Sequence, residues 1–306
     1  MPKHKVVFFG TGPVAARSLE LLLDNFEVEA VVTKPKPEHH RGDYPVLAVA
    51  ERNLLKVILV SDKASISRAV TSHTFTSKLA VLIDFGIIVE QDVIDTFELG
   101  IVNSHFSLLP QWRGADPITF SVLSGQTKTG VSLMMIEKGM DTGKLIGQRS
   151  LKIDSLDTTP KLTDKLIALS DEMLVDYLPR YVSGEIKPRQ QPHPDRATYS
   201  RKLTKQDGVI DWTKPAEDIE REIRAFVEWP KSRAKLGSVD VIITKAHSVP
   251  TSRSKNKPGD VEIVDDIGVL MVECGNGSLC IEALKPAGKN VMSAADFIRG
   301  YRSKLD

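Results

Sequence analysis

Apolar residues in the first half of the chain fall into short unbroken runs separated by amphipathic stretches. Residues 5–10 (KVVFFG), 28–33 (VEAVVT), 57–60, 78–83, 100–103 and 131–136 read as strands. Runs apolar at successive positions suit a sheet covered on both faces. Between them, residues 13–25, 46–53, 90–97 and 114–125 have the spacing of helices, and Ala15, Leu19, Leu22 and Leu23 share a face of the first. A longer helix is predicted over residues 160–182, with Leu162, Leu166, Leu169, Met173 and Leu174 on its apolar side. Strands alternating with helices predict an α/β domain built on an open, mainly parallel sheet. Such sheets bind ligands beyond the carboxyl ends of their strands.

The texture then changes. Residues 184–205 (GEIKPRQQPHPDRATYSRKLTK) hold three prolines and little apolar material, which reads as a linker. Beyond it a short helix is predicted at 215–226, and strands at 239–244, 260–264, 268–273 and 278–284, punctuated by Gly and Pro. This pattern predicts a small β-rich second domain, a barrel. The expected organisation is a first domain over 1–183, a linker over 184–205 and a second domain over 206–306.

Composition alters this picture little. A chain of 306 residues, 41% hydrophobic and 26% charged, has room for two cores. A net charge of +1 gives no global field for a nucleic acid, so any such binding must use local charge. The apolar run in MPKHKVVFFGTG is too short for a signal-peptide core, and no stretch approaches the roughly 20 apolar residues of a membrane span. Cys274 and Cys280 flank Gly275-Asn276-Gly277-Ser278, a hairpin turn that would make them near neighbours across two strands. With no sign of export a disulfide is disfavoured, and a cytoplasmic location is expected.

Gly10-Thr11-Gly12-Pro13-Val14-Ala15 follows a strand and opens a helix, as a dinucleotide fingerprint does. The second strand, however, ends in Thr33-Lys34-Pro35-Lys36, without the acid that would bind a ribose, and the next acid is Glu38 in a proline-flanked loop. The motif therefore reads as a tight strand-to-helix turn. His39 and His40 are adjacent and have no Cys or carboxylate set at metal-ligand spacing, so no metal is expected.

Chemistry concentrates in residues 103–117 (NSHFSLLPQWRGADP) and in the later EKGMDTG. Asn103 and His105 stand two apart at the end of a strand and so share a face. Asp141 sits on a loop between Gly139 and Gly143. An isolated N-x-H is usually structural and an isolated D-T-G usually a turn. Together they suit acyl transfer to an amine: Asn donates to a developing oxyanion, His donates or shuttles a proton, and Asp orients the His or takes the amine proton. No nucleophilic Ser or Cys is needed, because the amine is itself the nucleophile.

With S-L-L-P, W-R-G-A and T-G-V in order around these motifs, the chain resembles the 10-formyltetrahydrofolate-dependent formyltransferases. The resemblance implies a Rossmann-like catalytic domain, an OB-like second domain, and catalysis by Asn103, His105 and Asp141. It also implies that the loop Phe85-Gly86-Ile87-Ile88 meets the pterin of the folate and that Ser107-Leu108-Leu109-Pro110 contacts the folate. IDWTKPAEDIEREIRAFVEWP, KPGDVEIV, VECGNGSL and MSAADFIRGYR resemble the second domain of the tRNA-acting branch. That branch implies a monomer that formylates the α-amine of methionine esterified to initiator tRNA. Three positions depart from the family pattern: Asp84 stands in place of a small apolar residue, Glu90 of proline and Lys144 of an acid. Asp84 could disturb the pterin pocket or simply face solvent.

The loop over residues 34–45 is short for the tRNA branch, with Arg41 as a remnant of its acceptor-stem grip. Local positive charge lies in 187–205, including Arg201, Lys202 and Lys205 against Asp195 alone, and in 231–257, including Arg253 and Lys255 against Asp240 alone. Either run could be a solvated loop or a phosphate contact. The rival readings are N-formylation of an amino sugar nucleotide, hydrolysis of 10-formyltetrahydrofolate by water, and a catalytically dead RNA-binding module.

Overall fold

The computed structural model describes residues 3–39, 41–250, 257–264 and 268–305, so His40, Arg253 and Lys255 lie outside the described residues. The chain divides into two units: Met1–Pro117 with Lys128–Lys152 and Thr163–Ser200, and Ile118–Thr127 with Ile153–Leu162 and Arg201–Asp306.

The first half of the chain runs β1 (His4–Phe9), α1 (Pro13–Asn25), β2 (Phe26–Thr33), α2 (Pro45–Arg52), β3 (Val57–Leu59), α3 (Lys63–Thr71), β4 (Ala80–Leu82), α4 (Gln91–Ile94) and β5 (Ile101–His105). It continues through β6 (Arg113–Gly114), α5 (Pro117–Leu123), β7 (Lys128–Met135), β8 (Leu145–Lys152), α6 (Thr159–Val182) and β9 (Tyr199–Ser200). Seven strands form one sheet in the order β3-β2-β1-β4-β5-β7-β8. The first five are parallel, and β7 and β8 are antiparallel. This is the mainly parallel, Rossmann-like sheet expected. Val6 to Phe9 of β1 are all buried, which is why that strand is apolar at every position rather than at alternate ones. Phe9 meets Phe85 and Phe97 edge-on, with ring centroids 5.5 and 6.0 Å apart.

Among the elements that the pattern did not show are α3 and β8. Only Ile66 and Val70 of α3 are buried, so it has almost no apolar stripe; its start is marked by Asp62, whose side chain accepts the Ser65 N–H at 2.7 Å. In β8, only Leu145 and Ile146 are buried, as befits an edge strand. The helix expected over 90–97 shortens to α4 and closes through turns such as Gly100 N–H to Phe97 O at 2.8 Å. That expected over 114–125 begins only at Pro117, because Arg113 and Gly114 pair with Tyr199 and Ser200. The proline-rich stretch also pairs with β8, where Leu145 and Arg189 exchange backbone bonds of 2.7 and 2.8 Å.

The second half contains α7 (Ala216–Ala225), β10 (Ser232–Leu236), β11 (Val239–Val249), β12 (Val261–Val264), β13 (Val269–Glu273), β14 (Ser278–Pro286), β15 (Met292–Ser293) and α8 (Ala294–Tyr301). Its strands form an antiparallel sheet in the order β10-β11-β14-β13-β12, with β15 also on β14, consistent with the small barrel expected. Ile219 and Ile223 of α7 and Phe297 of α8 share its core with Leu236, Leu270 and Leu284. Cys274 and Cys280 do not oppose one another as the hairpin reading expected: Cys280 pairs with Met271, while Cys274 lies at the turn. Both thiols are free and buried, and burial pushes that of Cys274 up to about 11.

The glycine turn after β1 has an occupant from the chain itself. Asp84, held at φ +47°, lies against Gly12, where an added Cβ would meet its Oδ2 at 2.0 Å. The Ala15 N–H, in the first turn of α1, donates to its carboxylate. A helix N-terminus favours an anion, and here a side chain takes the place a phosphate would have. Asp84 keeps contact with solvent, yet crowding around its carboxyl makes desolvation the largest influence and pushes its pKa from the ordinary 3.8 up to about 6, against the Ala15 N–H and Lys34.

Two outcomes are expected. Phe9→Ala removes a ring packed on two others and should cost about 3–5 kcal/mol in urea unfolding; a loss below about 1 kcal/mol would show that the core closes over the gap. For Asp84, the folded state binds its proton more tightly than the unfolded state does. Its contribution is therefore most favourable below about pH 4 and is lost as pH rises through about 6. The gain in stability from Asp84→Asn should grow across that window, and a gain independent of pH would contradict the desolvation of the carboxylate.

Candidate active site

Strand alternation organises the site. Asn103 and His105 lie on one face of β5, while Ser104 faces the other way and meets Ser170 of α6, Oγ to Oγ at 2.7 Å. Beyond this end of the sheet is a cavity of about 680 Å³, with Ile87, Ile88, Asn103, Met134, Ile136 and Asp141 in its wall. Its size and mixed lining are those of a small-molecule site.

Asn103 is 7% exposed, and its side chain makes no hydrogen bond among the described residues. A nearly buried amide facing a cavity without a partner is a donor held ready for a ligand. His105, equally buried, has its Nε2 3.0 Å from the carbonyl of Trp112 and its Nδ1 3.8 Å from Asp141 Oδ2. A carbonyl can only accept, so the proton of neutral His105 resides on Nε2. A second proton would therefore sit on Nδ1, facing the carboxylate.

Asp141 occupies a tight turn, at φ +52°, a conformation that a residue with a Cβ holds only under constraint. The Gly114 N–H donates to its Oδ2 at 2.7 Å. Gly143 lets the loop close against β7, since a Cβ there would meet the Met135 carbonyl at 1.8 Å. Gln191 donates to the carbonyls of Asp141 and Gly143. Sequence reasoning missed this residue, because it lies in a stretch whose composition reads as a linker.

The other expected site residues are spread more widely. Of the pterin-loop residues, Ile87 and Ile88 line the cavity; Phe85 is buried against Phe9, and Gly86 presents its carbonyl to Lys34 at 3.2 Å. Ser107, Leu108, Leu109 and Pro110 form a loop outside that lining. It is held by Ser132, whose hydroxyl accepts the Leu109 N–H at 3.0 Å and donates to Ser107 O at 2.6 Å. Asp84 is not in the cavity wall; Glu90 is, paired with Lys63 at 3.6 Å.

Arg41, Lys202 and Lys205 are exposed. Arg201 forms an ion pair with Asp207, Nη1 to Oδ2 at 2.9 Å, and that guanidinium holds the carboxyl well below the usual range. Trp229 is 54% exposed and donates its indole N–H to Leu203 O at 3.4 Å, an aromatic surface beside this basic stretch that the motif reading passed over. Among the described residues no cluster of His, Cys, Asp or Glu could hold a metal ion, and no helix is long and apolar enough to cross a membrane.

Comparison with known proteins places this geometry. Residues 4–178 match the formyl transferase family and residues 202–302 match formyl transferase, C-terminal domain. A Myxococcus xanthus protein named methionyl-tRNA formyltransferase is 35% identical, the match covering 99% of this chain and 96% of that one. A protein of the same name from Halorhodospira halophila is also 35% identical, over 97% and 96%. Among solved structures, the N-formyltransferase of Helicobacter canadensis, in complex with folinic acid and dTDP-3-aminofucose, superposes with a TM-score of 0.67 at 21% identity, covering 92% of this chain and 98% of that one. Matched along nearly its whole length, and with Asn103, His105 and Asp141 at the carboxyl end of its sheet, the chain belongs to the formyl transferase family.

Proposed function

We propose that this chain is an enzyme that transfers the formyl group of 10-formyltetrahydrofolate to the α-amine of methionine carried on initiator tRNA, for translation initiation. The observation that carries this reading is the end-to-end match, at 35% identity, to proteins named for that reaction. The sugar-acting structure shares the fold at 21% identity, which supports N-formylation of an amino sugar less well.

The residues divide the work as follows. The apolar wall at Ile87, Ile88, Met134 and Ile136 suits the flat ring of a folate. The unpartnered Asn103 amide donates to the formyl oxygen as the amine nitrogen attacks the carbon and negative charge builds there. Asp141 accepts the proton that the amine must lose. The carbon–N10 bond breaks and N10 takes a proton, for which His105 Nδ1 is the donor after protonation. Its Nε2 stays against the Trp112 carbonyl while Nδ1 faces Asp141. For the tRNA, Lys202, Lys205 and the face of Trp229 offer phosphate contact and base stacking; the charge of Arg201 is already taken up by Asp207.

The first test is formyl transfer from 10-formyltetrahydrofolate to methionyl initiator tRNA. Asn103→Ala and Asp141→Asn should each lower kcat by about 100- to 1000-fold, with folate binding little changed. Formate release without tRNA would indicate the hydrolase, and formylation of an amino sugar nucleotide without tRNA the sugar enzyme.

Binding of tRNA should weaken steeply with salt. Lys202→Ala with Lys205→Ala should flatten the slope of log Kd against log salt by about one to two. A slope equal to that of the unaltered protein would remove both lysines from the tRNA surface.

A further inference from the structure

We propose that Gln191 is a positioning residue for Asp141: its side-chain amide fixes the left-handed turn that carries the carboxylate, and Arg113 fixes the amide. Gln191 is 5% exposed, and its Nε2 lies 2.7 Å from the carbonyl of Asp141 and 3.0 Å from that of Gly143. Its Oε1 accepts from Arg113 Nη2 at 2.7 Å. A guanidinium has only donors, so the contact with Arg113 settles which end of the amide is oxygen and points both N–H groups at the two carbonyls. Those carbonyls bracket the turn, so one side chain ties it at both ends.

Arg113 is itself 6% exposed, and its Nε has no hydrogen-bond partner. It makes no ion pair with a carboxylate among the described residues, so the oxygen of Gln191 is its hydrogen-bonded acceptor there. Arg113 thus spends its hydrogen bond on the neutral amide that ties the turn, and not on the Asp141 carboxylate. The strand pairing of Arg113 and Gly114 with Tyr199 and Ser200 joins the Gly114 donor to the same assembly.

The test rests on the transfer activity proposed above, so transfer by the unaltered protein is scored first; its absence would fail that reading and leave Gln191 to be judged by hydrogen exchange alone. Gln191→Glu is the informative variant, because a carboxylate retains the acceptor for Arg113 but has no N–H for the two carbonyls. It should stay folded at a somewhat lower melting temperature, while kcat falls by about 10- to 100-fold with little change in KM for folate, as a displacement of about 1 Å would produce. In single-turnover assays on an Asp141→Asn background the same change should have almost no further effect, because residues acting through one group are not additive. Amide hydrogens of residues 139–144 should exchange faster in Gln191→Glu than in the unaltered protein, with β1 and β4 unchanged. Equal losses on the two backgrounds, full activity of Gln191→Glu, or unchanged exchange in 139–144 would each overturn the proposal.

Discussion

A carboxylate set 3.8 Å from a buried imidazole has to be held there by the protein. In this chain the holding is shared between backbone and the buried amide of Gln191. Asp141 is carried on a left-handed turn, receives the Gly114 N–H, and stands 3.8 Å from His105. The sheet supplies the rest: β5 ends with Asn103 and His105 on the face that the turn approaches, and β7 runs antiparallel beside it, with His105 opposite Ser132. The dispositions of the amide, the imidazole and the carboxylate follow from strand alternation and one constrained loop.

Much of this was legible in the sequence, for physical reasons that can be named. Unbroken apolar runs such as Val6 to Phe9 occur where both sheet faces are covered, so the parallel strands stood out. Asn103 and His105 were visible because a period of two is a property of any strand. By contrast, α3 hides its helical period behind two buried residues, and β8 hides on an edge. Gln191 was illegible for a different reason: a single glutamine buried by contacts distant in sequence leaves no local pattern. The ion pair of Arg201 was not visible in the basic run, because its partner, Asp207, lies just past the end of that run.

The glycine turn after β1 shows how a motif can be real as geometry yet empty as a signature. Gly12 is required, but by the Asp84 carboxylate rather than by a cofactor's phosphates. The same helix terminus that attracts a pyrophosphate in dinucleotide enzymes here receives an acid from the loop after β4. The absence of an acid after β2, read from sequence, and the presence of Asp84, read from structure, are independent reasons for setting the dinucleotide reading aside.

The return of the proline-rich stretch onto the sheet bears on modularity. A fragment cut where the composition changes, just after α6, would lose the pairing of Leu145 with Arg189, the strand opposite Arg113, and the amide that accepts from its guanidinium. Its fold could look whole by helix and strand content and yet have a buried cation stripped of its acceptor. For the same reason, a chimera joined at that boundary would take the residues at positions 113 and 191 from different parents. The seam tolerated by evolution or by a protein engineer should therefore follow hydrogen-bond partnership rather than the density of prolines.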